Sequence, residues 1–340
     1  MQNFFQNKSK LILKQLGSSL VHSFSYKPIP LDPKTTRIGW CGTGVMGLPM
    51  CEHLMDGGFK NCVVYNRTHS RTEPLLKKGA KLAKSPLELA KQTDIIFSCV
   101  SFPSDVRNIY LGKEGILQVE DQQPRIVIDM TTSEPTLAKY IYEKGAEKNI
   151  SSLDAPISGG DVGARNGTLA IFAAGDKLAY ENIEPLLNLM GKNVTYCGDS
   201  GKGQFYKIAN QIAIASNLIV IFKSKSKKGM VESLIYSYKA GLDPSLFINA
   251  IKSGAAASFS LSNHTRRILK DDLEPGCYVD YFVKDLGIAL KEAEKLNLSL
   301  PGLSLAHSLF VALSAQGYGK KGTQALIRVL ESMNNIKIVK

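Results

Sequence analysis

The ten residues Ile38–Gly47, IGWCGTGVMG, constrain this chain more than any other stretch. Ile38–Cys41 is apolar and, with Arg37 before it, reads as a short buried strand. Gly42-Thr43-Gly44-Val45-Met46-Gly47 follows, and a helix-compatible run continues to Asp56, where Gly57-Gly58 stops it. Gly-x-Gly-x-x-Gly between a strand and a helix is the turn that a dinucleotide pyrophosphate requires. Gly42 permits the tight turn, Gly44 lets the backbone approach the phosphates, and Gly47 lets helix and strand pack closely. The helix N-terminus then stabilises the phosphate charge. The motif alone is a weak signal. It gains weight from a second apolar run, Cys62–Tyr65 (CVVY), within about 30 residues.

The pattern repeats. Asp94–Val100 (DIIFSCV) and Arg125–Asp129 (RIVID) are strand-like, and each precedes helix-compatible sequence. Strands alternating with helices predict an α/β fold with a Rossmann-type, doubly wound parallel sheet. Leu169–Ala174 and Val194–Cys197 read as its last strands. Beyond about Gly201 the strand signal stops. Residues 203–335 read as helices broken at Gly241-Leu242-Asp243-Pro244, Glu274-Pro275-Gly276, Pro301-Gly302 and residues 317–322. The expected organisation is a leader over 1–35 lying outside the fold, a nucleotide-binding domain over 36–200, and an all-helical C-terminal domain over 201–340.

Charge bears on the partners. The 340 residues carry 42 Lys+Arg against 30 Asp+Glu, a formal net charge of +12. A nucleic-acid binder would spread such charge over one face. Here residues 1–31 hold Lys8, Lys10, Lys14 and Lys27 with no acid, and residues 223–228 (KSKSKK) hold four more lysines, leaving 12 − 4 − 4 = +4 for the framework. Neither nucleic acid nor a membrane is therefore an expected partner; no apolar run reaches the roughly 18 residues of a spanning helix. The acid-free, Ser- and Leu-containing leader fits an organellar transit peptide lacking the usual arginines, which predicts a mitochondrial protein, with plastid or cytoplasm as alternatives. The six cysteines form no C-x-x-C pair and read as reduced, buried thiols rather than disulfides or a metal site.

The segment closing the second strand bears on the cofactor. NAD enzymes place a carboxylate there for the ribose 2′-hydroxyl. This chain has Asn66-Arg67-Thr68, 19 residues past Gly47. Arg67 can lie against a 2′-phosphate and Thr68 can donate to it. NADP is the expected cofactor; NAD remains the alternative if Arg67 only faces solvent.

Two other groups have a chemistry of their own. Ser158-Gly159-Gly160 offers a hydroxyl and close-packed backbone N–H groups, suited to a carboxylate. Lys207, Asn210 and Gln211 fall at i, i+3 and i+4, so one helix face presents an ammonium beside amides.

Five motifs in order resemble those of the β-hydroxyacid dehydrogenase family: the glycine loop, Asp129-Met130-Thr131-Thr132, Asp154–Gly160 (DAPISGG), Gly201–Gln211 (GKGQFYKIANQ) and Lys284-Asp285-Leu286. The resemblance spans about residues 36–335. It implies an oxidoreductase that interconverts a small 3-hydroxy acid and its semialdehyde, or reduces glyoxylate or succinic semialdehyde. By this resemblance Lys207 is the catalytic general acid/base, protonating the carbonyl oxygen as hydride arrives from the nicotinamide. Ser158, Gly159, Gly160, Asn210 and Gln211 contact substrate. Val100, Ser101, Thr132 and Lys284 join the glycine loop in holding the cofactor, and Asp285 orients Lys284 or Lys207. A homo-oligomer is expected on the same ground. A free lysine titrates near 10.4, so service as a base requires desolvation or a nearby positive charge.

Three departures stand out. Gln211 replaces a second Asn, reshaping the pocket. Gly317-Tyr318-Gly319 is followed by Lys320-Lys321 where relatives often carry an acid. Residues 220–229 (VIFKSKSKKG) interrupt the helix that begins at the catalytic segment. Ten extra residues turn a helix about 1000°, leaving its continuation about 80° out of register. An excursion looped out of the helix would keep the apolar stripe aligned. An insert within it would leave a dinucleotide-binding protein with impaired catalysis, the alternative function.

Overall fold

A computed structural model describes residues 26–120, 124–219, 230–239, 242–251 and 259–338; the leader residues 1–25 and the insert 220–229 lie outside this set. The strands are β1 (Ile38–Cys41), β2 (Cys62–Tyr65), β3 (Lys81–Leu82), β4 (Ile95–Ser98), β5 (Ile126–Asp129), β6 (Ser151–Asp154), β7 (Ile157–Ser158), β8 (Leu169–Gly175) and β9 (Gly191–Tyr196). Their helices are α1 (Gly47–Asp56), α2 (Glu73–Lys77), α3 (Pro86–Ala90), α4 (Pro103–Leu111), α5 (Pro135–Ala146), α6 (Gly160–Arg165) and α7 (Lys177–Leu187). The chain continues as α8 (Lys202–Ile219), α9 (Met230–Lys239), α10 (Pro244–Ile251), α11 (Phe259–Leu269), α12 (Val279–Lys295), α13 (Pro301–Leu313) and α14 (Ile327–Met333).

The sheet order is β3-β2-β1-β4-β5-β6-β8-β7, with β9 paired to β8. The first six strands run parallel in the 3-2-1-4-5-6 order of a dinucleotide fold, with Ile38 opposite both Cys62 and Ile95. Helices cover both faces, so β1, β4 and β5 are fully buried and mostly apolar. Side chains alternate: Ile38, Trp40, Ile95, Phe97, Ile126 and Ile128 enter one core layer, while Cys41, Ile96 and Val127 enter the other.

The structure corrects the sequence reading in two places. The sheet is not parallel throughout, because β8 runs antiparallel to β6 and β7. Residues 26–35 are not outside the fold. Tyr26 and Ile29 are buried in the nucleotide-domain core, and Asn182 of α7 accepts from Tyr26 Oη and, at 2.8 Å, from Ile29 N while donating to Ile29 O at 2.9 Å. Polar strands escaped detection: Ser151–Asp154 is fully buried yet has one apolar residue among four.

The helices after Gly201 build a separate apolar cluster around Phe282 and Phe310, whose rings meet edge to face at 4.8 Å. Such a pair adds about 0.5–1.5 kcal/mol beyond area burial. α8 joins the two halves. Its first turn presses against the sheet so closely that a Cβ on Gly203 would sit 2.3 Å from Phe172 O. Its later turns contact α12 and α13. Ile208 and Ala215 of α8 share one cluster with Val231, Leu234 and Ile235 of α9, so the apolar stripe is aligned on both sides of residues 220–229.

Candidate active site

The glycine turn has the shape its sequence predicts. Gly42 sits at φ +96°, and a Cβ there would lie 2.3 Å from Cys99 O; a Cβ on Gly47 would lie 2.0 Å from Gly42 O. Neither position admits a side chain. Trp40 Nε1 pins the turn by donating to Gly42 O at 2.9 Å. Gly44 differs, since nothing stands within 4 Å of its missing Cβ. Val45 is half-exposed beside it, and Met46 caps α1 without a side-chain hydrogen bond or an acid in the first turn. Thr43 Oγ1 is buried with no hydrogen-bond partner among the described residues. An uncapped helix start, an open glycine and an orphaned hydroxyl together fit a dinucleotide pyrophosphate.

Asn66 ties this turn to Thr68. Asn66 Oδ1 accepts from Thr43 N at 3.0 Å, and Asn66 Nδ2 donates to Thr68 O at 2.8 Å. The Arg67 side chain is 83% exposed, and its Nη1 donates at 3.1 Å to Asp105 of α4. The sequence around Arg67 contains no carboxylate; the fold supplies one. Asp105 is itself fixed by accepting from Phe102 N at 3.2 Å.

The segment Gly201–Gln211 converges with the remaining predicted residues. Lys207 is 7% exposed and donates from Nζ to Gln211 Oε1 at 3.1 Å. Asn210 Nδ2 donates to the same oxygen at 3.1 Å and to Ser158 Oγ at 3.2 Å. Gln211 Nε2 donates to Asp285 Oδ2. Asp285 Oδ1 lies 3.1 Å from Lys284 Nζ, which donates to Ser101 O at 3.1 Å and Thr132 O at 2.8 Å. Gly159 and Gly160 hold left-handed conformations, φ +137° and +63°, and turn the chain from Ser158 into α6. Val100 N donates to Thr131 Oγ1 at 3.0 Å, joining the ends of β4 and β5. The structure therefore gathers Ser158, Lys207, Asn210 and Gln211 with Lys284, Ser101 and Thr132, the last two engaged through backbone carbonyls.

Burial shifts the titration of this region. It pulls the Lys207 ammonium below its ordinary 10.5, helped by Lys284 and opposed by Asp285 and Cys277. Burial pushes Asp129 up to about 6 against hydrogen bonds from Thr131 and Ser98. It pushes Asp154 up to about 7 against bonds from Gly201 N and Gln204 N.

Residues 37–198 match the family profile described as the NAD binding domain of 6-phosphogluconate dehydrogenase. Residues 201–330 match the NAD-binding profile of NADP-dependent 3-hydroxyisobutyrate dehydrogenase. The chain is 48% identical over 308 residues to probable 3-hydroxyisobutyrate dehydrogenase-like 1, mitochondrial, of Arabidopsis thaliana, covering 91% of this chain and 89% of that one. The chain belongs to the β-hydroxyacid dehydrogenase family. It is an NAD(P)-dependent oxidoreductase of the 3-hydroxyisobutyrate dehydrogenase-like kind. Escherichia coli 2-hydroxy-3-oxopropionate reductase is 33% identical over 307 residues, 89% of this chain and 99% of that one. A solved structure of Psf3 in complex with NADP+ and 2-OPP matches with a TM-score of 0.76 at 26% identity, covering 86% of this chain and 99% of that one.

For this β-hydroxyacid dehydrogenase, sequence reasoning assigned no role to Asp105, Asp154, Gln204 or Tyr281. Tyr281 Oη lies 3.0 Å from Ser101 Oγ and its ring packs edge-on against Phe102 at 5.6 Å. Each of these contacts spans a large sequence separation, which short-range spacing does not reveal.

Proposed function

We propose that this enzyme interconverts a small 3-hydroxy acid and its semialdehyde, or reduces glyoxylate or succinic semialdehyde, using NADP(H) with Lys207 as general acid/base. The observation that carries this reading is a buried Lys207 held beside Asn210 and Ser158, with its Nζ on Gln211 Oε1. The nicotinamide supplies the hydride in reduction and accepts it in oxidation. In reduction the Lys207 ammonium gives a proton to the carbonyl oxygen, and in oxidation the neutral amine takes it back. Ser158 Oγ and the backbone at Gly159 and Gly160 receive the substrate carboxylate, with Asn210 orienting the serine. Burial lowers the Lys207 proton affinity, which suits both directions.

Gly42–Gly47, Val100, Ser101, Thr132 and Lys284 hold the cofactor in this reading, with Asn66 and Thr68 shaping the ribose side. NADP is favoured because the segment closing β2 carries Arg67, whose guanidinium can meet a 2′-phosphate in place of Asp105, and the NADP+-bound Psf3 structure has the same fold. The apolar cluster that described residues of α8 and α9 share favours catalysis over the impaired alternative. A mitochondrial location, supported by the leader composition and the names of plant relatives, and a homo-oligomer complete the proposal.

The test is a panel of glyoxylate and of succinic, methylmalonic and tartronic semialdehydes, each with NADPH and NADH. Aldehyde-dependent NADPH loss, absent in Lys207→Ala, is expected. No turnover of any aldehyde by wild-type protein, or full turnover by Lys207→Ala, would overturn the proposal.

A further inference from the structure

Polar contacts around Lys207 close into a ring. From Lys207 hydrogen bonds pass through Gln211 to Asp285, Asp285 forms an ion pair with Lys284, and Lys284 donates to Thr132 O. The adjacent Thr131 O accepts at 2.8 Å from Gln204 Nε2, and Gln204 Oε1 accepts at 2.9 Å from Ser133 N. Gln204 stands one helical turn before Lys207 on α8, so the ring returns to its start through α8 itself. Gln204 is 0% exposed, and its amide bonds the two residues that flank Thr132. Asp154 braces the same turn, accepting from Gly201 N at 2.6 Å and Gln204 N at 3.0 Å.

We infer that Gln204 is a positioning residue: its side-chain amide locks the turn bearing Lys207 to the Thr131–Ser133 loop, so that the proton donor and the Lys284-bound cofactor loop keep one geometry. The inference rests on Lys207 as the proton donor. Its physical basis is satisfaction of both loop groups by one amide. With Gln204 gone, a buried carbonyl and a buried N–H lose their partner, and the loop relaxes away from α8. Misplacing a reacting group by about 1 Å can cost about 10²-fold.

Two variants and three readouts test it. Gln204→Met keeps the length and removes both bonds. Gln204→Glu, when protonated, reproduces both bonds; when ionised, it keeps the Ser133 bond and sets a carboxylate against Thr131 O, with Asp154 as a neighbouring acid. Turnover is measured across pH per folded enzyme, folding is followed by thermal melting, and NADPH affinity by fluorescence of Trp40, the single tryptophan, bonded to the glycine turn. Gln204→Met should lower kcat about 10²-fold with the aldehyde KM little changed. Gln204→Glu should approach wild-type turnover in acid and lose it as pH rises, while the folded fraction stays constant.

Both variants within about twofold of wild type at every pH would overturn the inference. Should Gln204→Met not fold, a Gln204→Glu pH profile parallel to wild type does so alone. Lys207→Ala separates the two ideas. Full activity there sinks the reading of Lys207 itself, whereas an inactive Lys207→Ala beside near-normal Gln204 variants sinks only the positioning role.

Discussion

The amide of Gln211 stands between Lys207 and Asp285: its oxygen accepts from Lys207 Nζ at 3.1 Å and its nitrogen donates to Asp285 Oδ2. A neutral group thereby separates the ammonium from the carboxylate. Replacing Gln211 with Glu would bring a second carboxylate against Lys207. An opposite charge at that range raises a lysine pKa by about 1–3 units. In the proposed mechanism oxidation uses the neutral amine and so rises with pH through the Lys207 pKa, which burial holds below 10.5. Gln211→Glu should therefore move the alkaline rise of the oxidation rate to higher pH and extend reduction to higher pH. A kcat–pH profile in both directions checks it; an unmoved profile contradicts the bridge.

Arg67 offers a cofactor test. A hydrogen bond to a charged group contributes about 1.5–3 kcal/mol, equivalent to roughly 10- to 100-fold in affinity. Arg67→Ala should weaken NADPH by that factor and leave NADH nearly unchanged, as read by Trp40 fluorescence titration. Equal weakening of both would instead mark Arg67 as a general support of the turn.

The glycine turn separates binding from folding. Space is open at Gly44, whereas Gly42 O blocks a Cβ at Gly47. Gly44→Val should keep the wild-type melting temperature and lose NADPH binding. Gly47→Ala should lose both. Circular-dichroism melting beside a binding titration distinguishes them, and a stable, nucleotide-binding Gly47→Ala would refute the packing account.

Asp154 predicts a pH dependence of stability. Its carboxyl titrates near 7 in the folded chain, above the roughly 3.9 of an unfolded Asp. The folded state thus holds the proton more tightly. That stabilisation is complete below about pH 4 and is lost as pH rises through about 7. Asp129 adds the same sign, lost as pH rises through about 6. The melting temperature of wild type should fall across this window. Asp154→Asn should flatten the fall; an unchanged slope would mean Asp154 does not titrate there.

The sequence by itself determined the dinucleotide turn. Gly42, Gly44 and Gly47 follow an apolar strand, open a helix and precede a second apolar strand, and that context gives the spacing its meaning. It also placed Lys207, Asn210 and Gln211 on one helix face, because residues three and four apart share a face whatever the helix packs against.

Tertiary structure decided what those residues do. It buried Lys207 and so lowered its proton affinity, set Asp105 against Arg67 across 38 positions, and drew Gln204 to a loop more than 70 residues upstream. It also anchored the start of residues 26–35 to the nucleotide domain, burying Tyr26 and Ile29 and bonding them to Asn182, where composition suggests a detached leader. Desolvation and hydrogen bonding depend on which distant groups the fold brings within about 3 Å, and local spacing carries no record of those neighbours.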